Sequence, residues 1–248
     1  MNDYDIAFYA DRDRATRFAA ETILTIVQRA LPHIGCAIDI GCGVGTWLNV
    51  LRERGIADIL GIDGEWVDTD ELVIPSESFI RHDLTTDLRL SRRYDLVISL
   101  EVAEHLSPQR AEPFVAQLTD LGDFVLFSAA IPGQGGVNHV NEQWPEYWIG
   151  LFQQRGYIAL DVVRRAIWTD NRIAVHYRQN ILLFVKDQGV PRVTTRNELD
   201  NALPLSIVHP QLYLNKPAHW QNPTIRESLR LLAAAIATRA RRQLAMPG

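Results

Sequence analysis

Cysteine is nearly absent from this chain. Cys36 and Cys42 are the only two in 248 residues. So few, six residues apart around a strand end, cannot build a disulfide framework and read as core or turn thiols. No apolar run approaches the roughly 18 residues that a membrane-spanning helix needs. The opening Met1-Asn2-Asp3-Tyr4-Asp5 has no basic segment followed by an apolar one, so no secretory leader is expected. Basic residues are in deficit, 25 Lys and Arg against 30 Asp and Glu, which gives a net charge of -5. That balance disfavours nucleic acid as the main partner, and no basic stripe with interleaved aromatics is present. Internal repeats and low-complexity tracts are missing too. These absences leave a cytoplasmic protein, and 47% hydrophobic residues suffice for the core of one α/β domain.

What is present centres on Ala37-Ile38-Asp39-Ile40-Gly41-Cys42-Gly43-Val44-Gly45-Thr46-Trp47-Leu48. It reads as a buried strand, a tight turn and the first turn of a helix. Asp39 falls at the carboxyl end of the strand, where open parallel sheets bind ligands. Glycines at 41, 43 and 45 permit positive φ and close approach of a ligand. A second short strand, Ile59–Asp63, ends in an acid at about the spacing at which a second strand presents a carboxylate to a ribose. Further strands are expected at 79–84, 94–100, 123–130, 157–164 and 177–186, with an antiparallel hairpin at the sheet edge joined through 167–176. Helices are expected over 14–31, 46–54, 67–73, 108–121 and 142–155. This alternation predicts a Rossmann-like, seven-stranded, mostly parallel sheet with an antiparallel last strand and helices on both faces. Residues 1–33 form an N-terminal helical lid in this division, 34–187 the core, and 188–248 a C-terminal extension with a terminal helix. The basic end of that helix, Arg239 to Arg242, suits a helix terminus, a homodimer contact or an anionic partner.

Taken together, Ala37 to Leu48, Asp63, Asp83 and Tyr94-Asp95-Leu96-Val97-Ile98-Ser99-Leu100-Glu101-Val102-Ala103-Glu104-His105-Leu106 resemble a class I S-adenosylmethionine-dependent methyltransferase. The resemblance covers residues 34 to about 187. It implies S-adenosyl-L-methionine as cofactor, with Asp39, Gly41, Gly43 and Gly45 along its methionine part. Asp63, next to Gly64, would take the ribose hydroxyls. Asp83 would meet the adenine amine, Leu84 would border the adenine, and Leu100 with Glu101 would line the methyl-transfer centre. The residue chemistry agrees, since a carboxylate accepts hydrogen bonds and suits hydroxyls or an exocyclic amine. A dinucleotide would instead place a pyrophosphate at the helix amino terminus, and the glycine pattern alone leaves that alternative open.

The acceptor side is less defined. Gly135 to Trp148 follows the fifth strand and is similar to the substrate-side loop of small-molecule and sugar-cluster methyltransferases. His139 is the candidate general base, with Glu142 and His105 as further catalytic candidates. His105 follows Glu101 by four residues, so on a helix the two share a face. Glu104 reads as solvated. Tyr9, Asn138, Asn141, Trp144 and Tyr177 are the substrate-binding candidates, and Tyr4, Phe8 and Tyr9 would close over the pocket. The alternative has His139 and Asn141 capping the next helix and the tryptophans packing it onto the sheet. Glu104, His105, His139 and Glu142 offer metal-ligand chemistry, but no firm ligand spacing supports it, and no metal is expected. The expected reaction is methyl transfer to an oxygen of a small molecule, such as a sugar or secondary-metabolite intermediate. N-methylation of a small-molecule or peptide amine, and an inactive cofactor-binding partner subunit, are the alternatives.

Overall fold

The computed structural model describes residues 6–31, 33–187 and 205–214, and seven positions between 225 and 233; for 6–15 the backbone alone is described. By its contacts the chain divides into two units, Met1–Ile207 and Val208–Gly248. In the second, residues 210–214 are helical, and His209 starts this turn by accepting at its carbonyl from the Tyr213 amide, 3.0 Å away. The described positions from 225 to 233 are helical as well. Tyr4 and the basic end from Arg239 to Arg242 lie outside the described residues.

The first unit opens with α1 (Ile6–Ala30), followed by β1 (Cys36–Ile40), α2 (Thr46–Glu53), β2 (Asp58–Asp63), β3 (Phe79–Arg81) and β4 (Leu96–Leu100). Next come α3 (Ala111–Leu121), β5 (Phe124–Ser128), α4 (Pro145–Gln154), β6 (Tyr157–Leu160), α5 (Val162–Ile167), α6 (Val175–Asn180) and β7 (Leu182–Lys186). The strands lie in the order β3-β2-β1-β4-β5-β7-β6. All neighbours are parallel except β7, which runs antiparallel to both β5 and β6. The strand order reverses between β1 and β4, which places the ligand crevice at their carboxyl ends.

The two-residue period of the strands divides the core. Ala37, Leu96, Ile98, Leu126 and Leu183 face α1, α2 and α5, while Ile38, Val97, Val125, Phe127 and Phe184 face α3 and α4. Both faces are covered, as apolar runs such as Leu96–Leu100 require. On α1 the residues Ala19, Ala20, Ile23, Leu24, Val27 and Ala30 are all buried at helical spacing, so this half of the helix belongs to the core.

Among the boundaries that differ from expectation, α1 begins at Ile6 rather than at 14 and β3 ends at Arg81 rather than at 84, and three further differences have a visible cause. β6 stops at Leu160 because Asp161 receives both the Nε and Nη2 of Arg164, each at 2.8 Å, across the first turn of α5. Arg164 is fully buried and also donates to the carbonyls of Gln179 and Leu205. Residues 177–180 belong to α6 rather than to the last strand, so β6 and β7 are joined through two short helices and not a simple turn. The helix expected over 67–73 is a single 3-10 turn, Thr69–Glu71, started by Asp68 accepting from the Asp70 amide.

Candidate active site

The turn after β1 takes its shape from three left-handed glycines. Gly41 has φ +87°, and a Cβ there would stand 2.3 Å from Val102 Cγ2; Gly45 has φ +89° and faces Ile74. Gly43, at φ +54°, has open space where its Cβ would be, so the backbone there is bare toward the crevice. Asp63, at the end of β2, reaches across to this turn. Its Oδ2 accepts from the Gly43 amide and its Oδ1 from the Gly64 amide, each at 2.7 Å. Asp39 is 2% exposed, and burial first and the Asp63 charge second push its carboxyl well above the usual range. The Cys42 thiol is raised chiefly by burial and is therefore inert. The Trp66 indole lies over Gly64, where any side chain would collide with it, yet it is 76% exposed.

Asp83 is exposed at the end of β3, and its Oδ1 accepts from the Thr85 amide and hydroxyl, which hold its pKa low. Leu84 is buried. Its carbonyl accepts from the buried Arg110, which also bonds Asp87 and the Thr86 carbonyl and so staples this loop to the start of α3.

Across the crevice, the segment after β4 departs from the expected helix. Leu100 is buried, but Glu101 takes φ +55° and only Ala103–His105 form a 3-10 turn, so Glu101 and His105 share no helical face. The Glu101 carboxylate instead accepts from the Gln134 amide at 2.9 Å and the Asn180 amide at 3.0 Å, and Asn180 also donates to Gln134. These two amides were not legible in the sequence, because one sits in a loop and the other at the end of α6.

Glu104 overturns its reading as a solvated residue. It is 0% exposed, and neither carboxylate oxygen has a hydrogen bond of acceptable geometry. Burial, followed by the nearby Glu101 charge, lifts its pKa to about 8. Its backbone carbonyl accepts from the Val140 and Asn141 amides, which ties the loop after β5 onto this turn.

That tie brings His139 beside His105, with ring centroids 4.8 Å apart and planes nearly perpendicular. Burial, then the neighbouring His139, lowers the His105 pKa, and the Asn138 carbonyl opposes this. His139 Nδ1 lies 3.0 Å from Glu142 Oε1. Glu142 does not begin α4; Pro145 occupies its first position, and Glu142 turns back to accept from the Gly133 and Gly135 amides. Burial would raise this carboxyl, but the bonds from His139, Gly133 and Gly135 outweigh it and hold the pKa low. An ionised Glu142 only accepts, so the hydrogen of this contact sits on His139 Nδ1, and Nε2 is the ring nitrogen left for another partner. The ring lies over Gly136, whose missing Cβ makes room for it.

The capping alternative fails, since no side chain caps α4. The packing alternative holds for Trp148, buried against Phe127, while Trp144 at the helix start is 43% exposed. Asn141 is buried and its Nδ2 has no partner; Asn138 is exposed at φ +61°. Tyr177 is half-buried, edge-on to Trp47 at 5.5 Å. The side chains of Phe8 and Tyr9 lie outside the described residues. The structure thus gathers two groups. Asp39, Gly41, Gly43, Asp63 and Gly64 meet at the ends of β1 and β2. Glu101, Glu104, His105, His139 and Glu142 meet after β4 and β5.

Residues 11–126 match the family model described as a methyltransferase domain. Over 178 residues the chain is 26% identical to the dTDP-3-amino-3,4,6-trideoxy-alpha-D-glucopyranose N,N-dimethyltransferase of Streptomyces venezuelae, covering 71% of this chain and 69% of that one. Among solved structures, the plantazolicin methyltransferase in complex with S-adenosylhomocysteine has a TM-score of 0.53 at 17% identity, over 73% of this chain and 88% of that one. An amino pentose methyltransferase of calicheamicin biosynthesis from Micromonospora echinaspora has a TM-score of 0.51 at 14% identity, over 75% and 99%. Residues 11–126 thus match a methyltransferase domain, and the sheet order is the Rossmann-like one shared with the solved S-adenosylhomocysteine-bound methyltransferase. The methyltransferase domain makes the chain an enzyme, and the cofactor of that domain is S-adenosyl-L-methionine. No helix among the described residues is long and apolar enough to cross a membrane.

Proposed function

We propose that this protein methylates a hydroxyl oxygen of a small molecule, with a sugar or other secondary-metabolite intermediate as the acceptor class. The observation that carries the reading is the His139–Glu142 pair at 3.0 Å. A hydroxyl must lose its proton as it is methylated, and a neutral amine has no such need. An imidazole locked with Nδ1–H on a carboxylate holds its Nε2 lone pair in one place for that task.

The cofactor half of the crevice suits S-adenosylmethionine. Gly43 leaves bare backbone for the methionine part. Each Asp63 oxygen uses one lone pair on a backbone amide and keeps another for a ribose hydroxyl. Asp39 and Asp63 are two buried carboxylates side by side, a setting that favours a cationic ligand. Gly41, Gly45 and Gly64 complete the backbone wall, while Asp83 and Leu84 take the adenine and Leu100 and Glu101 flank the transfer centre. The cofactor supplies a methyl group on a sulfonium, an electrophilic carbon whose leaving group is a neutral thioether. The chain's tasks are to hold the acceptor oxygen in line, exclude water and take up one proton. Asn138, Asn141, Trp144 and Tyr177 would orient the acceptor. Tyr9, on the first half of α1, would close over it.

N-methylation is the second reading, supported by the name of the Streptomyces venezuelae relative. Turnover of methyl-labelled cofactor against paired amino and hydroxy sugars separates the two. His139→Ala should cut hydroxyl methylation by about 100-fold or more, the span expected of a lost proton acceptor. Near-normal turnover with this variant, or transfer to nitrogen alone, refutes the hydroxyl reading.

A further inference from the structure

Glu104 presents a problem that the methyl-transfer reading leaves unsolved. Its side chain is wholly buried, and neither oxygen has a hydrogen bond of acceptable geometry, although the Glu101 carboxyl and the Ala130 backbone are near. An ionised carboxylate is not normally kept in that state; it takes a proton or it takes a cation. The surroundings favour a cation. Glu104, His105 and His139 each offer one ligand atom, and these atoms lie within 4.8 Å of one another. His139 also carries the outer support that metal-bound histidines characteristically have, through Nδ1 on Glu142, itself fixed by two backbone amides, and His105 packs edge-on against the His139 ring. Glu101 stands alongside, its carboxylate held by Gln134 and Asn180.

We propose that Glu104, His105 and His139 bind one divalent cation of the first transition row. Two imidazoles with one carboxylate suit manganese, iron, cobalt or zinc better than calcium or magnesium, which prefer oxygen alone. Bonds of about 2.0–2.2 Å would draw the ligand atoms to roughly 3–3.5 Å from one another, a modest side-chain contraction. In the sequence the third ligand is separated from the first two by a strand, a helix and a loop, so no short motif announces the site. The pairing of Glu104 O with the Val140 and Asn141 amides closes that distance.

The use of the ion rests on the hydroxyl reading above: it would hold the acceptor oxygen and lower the pKa of its proton, which then leaves to water. With the ion bound, the His139 Nε2 lone pair that Glu142 orients serves the same deprotonation through the ion, so the pair at 3.0 Å supports the hydroxyl reading in either state. The binding itself stands without that reading and is tested without cofactor or acceptor. The full chain, stripped with a chelator, is titrated separately with MnCl2 and ZnCl2 by calorimetry and by thermal melting. Saturable binding to one site with a rise in melting temperature is expected. Glu104→Gln should weaken it by at least about 100-fold, consistent with loss of a charged ligand. In chelator this variant should melt no lower than the parent, because an amide replaces an uncompensated carboxylate. Absence of saturable binding to the parent, or equal binding by Glu104→Gln, overturns the proposal and leaves Glu104 a protonated acid beside Glu101. Saturable binding together with transfer to nitrogen alone would sink the hydroxyl reading and leave the ion.

Discussion

Asp63 offers the sharpest test of the cofactor half of the site, because one carboxylate is given two tasks. Its oxygens accept from the Gly43 and Gly64 amides at 2.7 Å, and the same oxygens are proposed to receive the ribose hydroxyls. A hydrogen bond to a charged group contributes about 1.5–3 kcal/mol. Losing two ribose bonds in Asp63→Ala therefore costs about 3–6 kcal/mol of cofactor binding, or roughly 100-fold to 10,000-fold in affinity. The effect on the empty protein is smaller. The two backbone amides lose their acceptor, but Asp39 loses the neighbouring charge that raises its pKa, and the changes oppose one another. Calorimetry with S-adenosylhomocysteine measures the first quantity, and a urea midpoint measures the second. A folded Asp63→Ala protein that binds within about threefold of the parent, less than 1 kcal/mol, would refute the ribose assignment.

Other substitutions probe the frame. Asp39→Asn should raise the melting temperature of the cofactor-free protein near neutral pH. The folded pKa of Asp39 lies above its unfolded value, so its contribution to stability is full in acid and is lost as pH rises through the folded pKa; the gain from Asn should vanish below about pH 4. A gain that persists unchanged in acid would contradict this. Tyr157 donates to the Thr119 and Gly122 carbonyls, and burial first lifts its pKa to about 12. Stability from this group is therefore complete below about pH 10 and is lost between about 10 and 12. Tyr157→Phe should cost about 1–3 kcal/mol at neutral pH and flatten that alkaline loss in a melting series. Arg164→Met leaves the Asp161 side chain, 8% exposed, with only Arg165 at 3.9 Å, and should destabilise by about 3–5 kcal/mol in urea unfolding. A cost under about 1 kcal/mol would show that the pair is solvated. Gly41→Ala should damage the fold, since its Cβ would meet Val102 at 2.3 Å. Gly43→Ala has open space, should cost about 1–2 kcal/mol for its positive φ, and should fail mainly in cofactor binding.

The glycine turn and the acids at the ends of β1 and β2 were readable in the sequence because their signals are local. An apolar strand, a turn that needs glycine and an acid at a strand end lie within a few residues of one another, and only the strand order is required to bring Asp39 beside Asp63. The acceptor half was not. In Glu101-Val102-Ala103-Glu104-His105 the acids look like solvated helix positions, and nothing local says that Glu101 takes a positive φ or that Glu104 is sealed by a loop arriving after β5. Burial of a charge is a tertiary outcome. The boundary at Leu160 failed for a similar reason: residues 157–164 alternate well enough for a strand, but the Asp161–Arg164 pair, closed by carbonyls from 179 and 205, favours a helical turn.

The most direct test of the central claim is a crystal structure of the protein with S-adenosylhomocysteine. The account predicts the homocysteine along Gly41–Gly45, the ribose hydroxyls in hydrogen-bond contact with Asp63, and the sulfur facing the side that carries Glu101 and His139. A ligand whose ribose lies away from Asp63, or whose sulfur is turned from that cluster, would contradict it.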